Sequence, residues 1–384
     1  MHKIKSFQLY SVPPRWLFLK LETEDGLTGW GEPIVEGRAR TVACAVKELM
    51  EKYVINRDFN EIEDIWNVLY RGGFYRGGSI LMSALSGIDQ ALWDLKGKSL
   101  GVPVYELLGG SCRSKVRVYR WIGGDQPNKV TDEAKKCLNK GFTAVKMNIS
   151  GKLKFIESAK HVAEIIERVQ LLRETIGNEN DIAIDFHGRV SPTFAPILIK
   201  KLEAFSPLFI EEPVLPGYTG SLRLVKNKTF SPIALGERLY SRWDFKPYLE
   251  NNLVDVVQPD VSHAGGITEC KKIASYAEIY GAHVAIHCPL GPIALAASLQ
   301  LAFSIYNYLI QETSIGIHYN EGIELIDYVV NKEIFEVKNG YVEIFKQPGL
   351  GIKMNEDVVK EAAKSNADWS NPIWRYEDGS FAEW

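Results

Sequence analysis

From position 116 onward, a short run of β-branched and aliphatic residues recurs about every 25 residues, and most runs close on a polar or charged side chain. The runs are VRVYRWI (116–122), TAVKMN (143–148), IAIDFH (182–187), PLFIEE (207–212), PIALGE (232–237), VDVVQP (254–259), HVAIHC (283–288) and YLIQET (308–313). Between them lie stretches with helical spacing, among them TDEAKKCLNKG, HVAEIIERVQLLRETIG and GITECKKIASYAEIYG. Buried strands that alternate with amphipathic helices build a parallel sheet. Eight such units in about 200 residues is the strand number of a closed α/β barrel. An open doubly wound sheet fits less well, because the glycine-rich nucleotide loop that marks it is missing. In a parallel barrel every strand ends at the same mouth, so the residues that close the runs converge there.

Residues 1–112 do not follow this period. KIKSFQLYSV and WLFLKLET read as antiparallel strands joined across Pro13–Pro14, and TEDGLTGWGE reads as a hairpin. ARTVACAVKELMEKYV, EIEDIWNVLYR and ILMSALSGIDQALWDLKGKSL are helical in pattern. The expected division is an α+β unit at 1–112, a barrel at 113–335 and a return segment at 336–384. The aromatic-rich end of that segment (Trp369, Trp374, Tyr376, Phe381, Trp384) is expected to fold back on the first unit.

Composition narrows the function. The net charge of −3 over 384 residues carries no basic excess, which argues against nucleic acid and anionic membranes as partners. No apolar run approaches the length of a membrane span, and the N-terminus has no signal-peptide core. Five scattered cysteines without CxxC spacing fit reduced thiols, hence a cytoplasmic location.

Asp185, Glu211 and Glu237 close three successive runs at intervals of 26 residues. Hard oxygen donors from three adjacent strands leave half an octahedral shell for water and substrate, which suits Mg²⁺. Glu212 points to the opposite face of its strand and is expected to be structural. His187 lies two residues beyond Asp185, and period two would put both on the inner face. A histidine there can protonate a leaving group or orient a ligand through a hydrogen bond. His287 closes the seventh run, with Asp260 one strand earlier to fix its tautomer and raise its basicity as a general base. Glu312 is placed to hydrogen-bond a substrate oxyanion or to position His287. Lys146 would offer a cation to a substrate carboxylate or enolate, or pair with the acids. His283 sits at the wrong end of its strand and reads as a core histidine. Arg15 and Trp16 (in PPRW), and Tyr75 (in FYRGG with Gly77 and Gly78 as hinge or turn residues), are the candidates for specificity at the mouth. His263 and Gly265 would shape it. One cation, one base and one acid form the apparatus for removing a proton beside a carboxylate and expelling a group from the next carbon.

With these residues in place, the chain resembles the enolase superfamily, mandelate racemase subgroup. DFHGR, PLFIEEPVLP, QPDVSHAGGITEC, HCPLGPIALAASL and the ending NPIWRYEDGSFAEW carry the resemblance. It implies a (β/α)7β modified TIM barrel with an α+β capping domain built from the N-terminal region and the C-terminal tail, assembled as a homo-oligomer. It implies Mg²⁺ on Asp185, Glu211 and Glu237, with Mn²⁺ as a substitute. His287 would take the C2 proton, sharpened by Asp260, while His187 releases the 3-hydroxyl and Glu312 stabilises the enediolate. Racemases of the subgroup carry a Lys-x-Lys pair where this strand reads Lys146–Met147–Asn148, so the pattern favours dehydration of a sugar acid. D-galactonate is expected ahead of other aldonates or aldarates. Thr313, beside the stabilising glutamate, departs slightly from the pattern. Base and acid on opposite strands imply anti elimination.

Overall fold

The computed structural model describes residues 2–123, 129–320 and 322–384. Strands β1 (Ile4–Val12), β2 (Trp16–Thr23) and β3 (Thr28–Gly31) form an antiparallel meander in the order β1-β2-β3. The β1–β2 turn contains a cis bond between Pro13 and Pro14. Helices α1 (Ala39–Leu49), α2 (Ile62–Arg71) and α3 (Ser79–Leu100) follow. α3 is buried along most of its length because β3 lies flush against it. A Cβ on Gly31 would fall 1.9 Å from the Gly87 carbonyl oxygen, and one on Gly87 would fall 2.4 Å from Pro33 Cβ, so each position needs glycine for its own close approach.

Among the described residues eight parallel strands then run in sequence order and close on themselves. They are β4 (Lys115–Trp121), β5 (Ala144–Asn148), β6 (Asp181–Asp185), β7 (Phe209–Glu211), β8 (Ile233–Leu235), β9 (Val256–Val257), β10 (His283–Ile286) and β11 (Tyr308–Thr313). β11 pairs with β4 through Glu312↔Tyr119, which shuts the barrel. A helix fills each gap between consecutive strands, whereas β11 is followed among the described residues up to Phe335 only by short 3₁₀ turns, giving the expected (β/α)7β order.

The barrel interior contains a layer made by one residue from each strand: Tyr119, Ala144, Ala183, Phe209, Ala234, Val256, Ala285 and Ile310. Strand side chains alternate faces, so the next inward position lies two residues further on. On β5, β6, β7, β10 and β11 that position is Lys146, Asp185, Glu211, His287 and Glu312. Val145, Ile182, Ile184, Ile210 and Val284 belong instead to the main hydrophobic core. This two-residue step converts a packed barrel into a polar mouth.

The first unit docks on the barrel through buried polar side chains. Asp89 accepts from the Thr268 backbone N–H (3.1 Å) and hydroxyl (2.5 Å), in the first turn of helix Gly266–Ile279. Glu32 accepts from Gly291 N–H (2.7 Å) and Ala294 N–H (3.0 Å), at the start of helix Pro292–Ser304. These donors are the orphan N–H groups of helix N-termini. Burial still dominates and pushes Glu32 up to about 8 and Asp89 up to about 7. Folded-state values above the unfolded one mean that this contribution is full below about pH 4 and is lost as pH rises through 7 to 8. The Tm is therefore expected to fall between about pH 5 and 9, and to fall less in Glu32→Gln. Equal slopes in melts of the two proteins would remove Glu32 from the account.

After β11 the chain adds β12 (Val337–Lys338) and β13 (Tyr341–Glu343), and β13 pairs antiparallel with β4. Helix Glu356–Ala363 then returns to the first unit, where Lys20 Nζ meets Glu356 at 2.8 Å. The final segment carries a small hairpin, β14 (Trp374–Arg375) with β15 (Phe381–Ala382). It reaches the first unit through Ser11 Oγ–Ala367 O (2.7 Å) and Arg40–Asp368 (3.1 Å). It also reaches the barrel mouth, through Lys152 Nζ–Arg375 O (2.9 Å), so it spans both units rather than folding on the first alone.

Candidate active site at the barrel mouth

A cavity of about 370 Å³ opens at the C-terminal ends of the strands. At its base a single buried ammonium, Lys146, lies 3.0 Å from Glu211, 3.0 Å from Glu312 and 3.8 Å from Asp185. Burial alone would lower the lysine pKa, but Glu211 and Glu312 outweigh it and hold the lysine charged. Glu211 is pushed well above the usual carboxylate range by burial and by Asp185, against the pull of Lys146. Glu211 Oε2 is buried with no hydrogen-bond partner among the described residues.

His287 follows β10, where an isolated bridge to Asp260 prolongs the β9–β10 pairing. Its Nδ1 lies 2.7 Å from Asp260 Oδ2, which leaves Nε2 to face Glu237 at 3.0 Å and Glu312 at 3.8 Å. Asp260 Oδ1 accepts from Ser262 N–H at 2.7 Å, and Glu312 Oε2 accepts from Cys288 N–H at 3.1 Å. Burial lowers the His287 pKa, but Glu237, Glu312 and Asp260 more than offset it and raise it well above the ordinary value. Burial raises Asp260, and His263 and His287 overcome that to hold it low.

His187 reaches the cavity by a route that strand alternation did not predict. β6 ends at Asp185, and His187 has φ of +48° in a turn where its N–H donates to Asp185 Oδ1 at 2.8 Å. Its Nε2 lies 2.7 Å from Asp185 Oδ2, and the Arg189 guanidinium donates to Nδ1 at 2.9 Å. Burial raises the Asp185 pKa, but His187 and then Lys146 bring it below its usual value. Glu237 also lies beyond its strand, past Gly236 at φ +150°, where a Cβ would meet Gln258 N at 2.7 Å. Glu237 is held well below the usual range: burial opposes ionisation, and His287 and His187 overcome it.

The donor atoms of Asp185, His187 and Glu237 come within 4.8 Å of one another. Glu211 is turned toward Lys146 instead, next to Asp185 in the sheet register. Glu212 is buried away from the cavity and pairs with Arg238 (3.1 Å through Nε), whose Nη2 also donates to His187 O at 3.1 Å. Asn148 Oδ1 accepts the Trp121 indole N–H at 3.0 Å.

The specificity candidates separate. Arg15 lines the cavity, pairs with Glu36 and donates to Pro289 O at 2.8 Å. Trp16 does not reach it: the ring is fully buried between Phe18 (6.4 Å) and Tyr328 (5.8 Å). Tyr75 is 87% exposed and lies outside the cavity lining. Gly77 and Gly78 have φ near +80° with open space around them, as a glycine turn requires. His263 lines the cavity and its Nδ1 lies 2.9 Å from Ser83 Oγ, while Gly265 O accepts from Trp66 Nε1. His283 is exposed at the start of β10 and is not a core histidine, because the ring leaves the sheet at its solvent end.

Five aromatic lining residues are not singled out by the sequence pattern: Trp121, Tyr240, Tyr319, Trp369 and Trp384. Trp121 stands two residues past Tyr119, so the period-two rule applied to β4 would have found it. For Trp369 and Trp384 the local signal was only an aromatic-rich stretch outside the βα period.

Residues 129–358 match the family Enolase C-terminal domain-like, and residues 13–109 match the mandelate racemase / muconate lactonizing enzyme N-terminal domain. The chain is 53% identical to D-galactonate dehydratases of Pectobacterium atrosepticum and of Ralstonia pickettii, over 382 residues and 100% of each protein. An enolase from Agrobacterium radiobacter, crystallised with Na and L-malate, superposes with a TM-score of 0.91 at 30% identity over 100% of both chains. The chain belongs to the enolase superfamily, in its mandelate racemase subgroup.

Proposed function

We propose that the protein dehydrates a sugar acid, taking D-galactonate to 2-dehydro-3-deoxy-D-galactonate, the activity for which its curated relatives are named. The strongest support is the meeting at a single acidic cavity of two histidines held differently: His287, whose Nδ1 is backed by the Asp260 carboxylate, and His187, whose Nδ1 accepts from the Arg189 guanidinium. Dehydration needs one base and one acid, whereas a racemase needs a base on each face of C2. On the second face this chain has Asn148, already tied to Trp121, where a second lysine would stand.

In this reading the His287 Nε2 removes the C2 proton, and the C–H electron pair moves into the carboxylate to form an enediolate. Asp260 holds the imidazole in the required tautomer and stabilises its charge. Lys146 and Glu312 flank the enediolate oxygens. Collapse of the enediolate breaks the C3–O bond, and His187 delivers the proton that turns the leaving hydroxide into water. The resulting enol tautomerises to the 2-keto acid. Base and acid act from opposite faces, an anti course.

The donor set fits a divalent cation: hard carboxylate oxygens of Asp185, Glu211 and Glu237, with Glu211 Oε2 an orphaned buried acceptor. When bound there, Mg²⁺ or Mn²⁺ would supply positive charge to the enediolate oxygens and relieve the repulsion among the acids. The same proposal carries the division at 112/113 and 335/336, assembly as a homo-oligomer, and a cytoplasmic location consistent with five free cysteines. Among the described residues no helix is long and apolar enough to cross a membrane.

The test is a keto-acid assay across aldonates and aldarates with Mg²⁺, paired with an EDTA-treated sample. D-galactonate turnover is expected, with activity lost on chelation and restored by added Mg²⁺. Turnover of a different acid alone would keep the chemistry and replace the substrate. C2 exchange in deuterated water without keto acid would favour an epimerase.

A further inference from the structure

The cavity has two unlike ends. Lys146, Asp185, His187, Glu237, His287 and Glu312 crowd the end that does chemistry. Away from it the wall is rich in aromatic rings, with the Arg15–Glu36 pair beside them. Ring contacts run outward from Trp121 to Tyr319 (5.4 Å, interplanar 11°), from Tyr319 to Trp369 (6.5 Å) and from Trp369 to Trp384 (6.2 Å). Both outer tryptophans come from the C-terminal tail, more than fifty residues beyond β11, and both are only half-buried.

The tail is held on each side of the mouth. On the first unit, Ser11 and Arg40 grip Ala367 and Asp368, and Asn371 fills the space above Gly37, where a Cβ would fall 1.7 Å from Asn371 Oδ1. On the barrel, Lys152 and the Leu153 carbonyl hold Arg375 and Tyr376, while the Arg189 guanidinium lies 4.9 Å from the Trp374 ring centre. A segment anchored at both sides presents Trp369 and Trp384 to the cavity in fixed positions.

We infer that the C-terminal tail, through Trp369 and Trp384, forms the far wall of the substrate cavity and sets the chain length of the sugar acid that the enzyme accepts. The inference rests on the dehydratase reading of the same site. A sugar acid bound with its carboxylate among the charged groups extends its polyol chain toward the aromatic end. Aromatic faces pack well against C–H faces, and a few polar groups between them take the hydroxyls. The Arg15 guanidinium, 5.7 Å from the Tyr319 ring centre, and Asn371 line this end of the cavity and can do so. A wall that fits the last carbon excludes a longer chain by clash and binds a shorter one less well.

The experiment compares the wild-type protein with Trp369→Ala, Trp384→Ala, Trp369→Phe and Trp384→Phe on four- to seven-carbon aldonates that share the C2 and C3 configuration of D-galactonate. Steady-state kinetics and calorimetric titration with Mg²⁺ present are run on the same panel. The alanine variants are expected to raise KM for D-galactonate by about tenfold with little change in kcat, and to gain about tenfold for the seven-carbon acid relative to D-galactonate. The phenylalanine variants should fall between. A lowered Tm with the length ranking unchanged would overturn the inference and leave the tryptophans a packing role. If the wild-type protein turns over no aldonate, the dehydratase reading fails, but the titrations still decide the wall: affinities that depend on length in the wild type and lose that dependence in the alanine variants support it, and parallel affinities overturn it.

Discussion

His287→Asn is expected to lower kcat for dehydration by roughly 10²- to 10⁴-fold and to abolish C2 proton exchange with solvent. Both losses follow from geometry. His287 Nδ1 is committed to Asp260 at 2.7 Å, so Nε2 is the nitrogen left facing the cavity. Asparagine can mimic a hydrogen bond but cannot accept the proton. Asp260→Asn should cost less, because Nε2 remains but its tautomer is no longer enforced. Steady-state keto-acid formation and deuterium incorporation at C2 measure the two effects separately. Retained exchange in His287→Asn would mean that another group is the base.

His187→Asn separates the two halves of the reaction. Dehydration should again fall by about 10²- to 10⁴-fold, yet C2 exchange should persist, because enediolate formation needs only the base. The structure places His187 Nε2 against Asp185 and Nδ1 against Arg189, so the substitution also disturbs the carboxylate beside it. Binding of Mg²⁺ by calorimetry distinguishes that effect from the loss of an acid: lost exchange with weakened metal binding would mark His187 as a positioning group for Asp185. Unimpaired dehydration would eliminate both roles.

The parts of this site that are local in the chain were readable from residue order. Lys146, Asp185, Glu211, His287 and Glu312 each stand two positions beyond a buried inward residue of their own strand, and the strands repeat at nearly constant spacing. Periods of two and of about 25 are properties of short stretches, and closing the barrel brings such stretches together without further instruction. His187 and Glu237 also reach the mouth, although strand alternation does not extend as far as either of them. Positive-φ turns at His187 and Gly236 carry the chain past the strand ends.

Contacts between residues far apart in sequence were decided only by the tertiary structure. Nothing near Trp16 distinguishes it from Arg15, yet Arg15 lines the cavity and Trp16 is sealed against Tyr328, more than three hundred positions away. Exposure of Tyr75, and of His283 at the solvent end of its strand, depends likewise on what other elements leave uncovered. Trp369 and Trp384 reach the mouth because Ser11, Arg40 and Lys152 hold the tail across it. Residue order determined the barrel and its acid–base set through short-range alternation. The wall around the substrate was left to packing between distant segments, which no local period encodes.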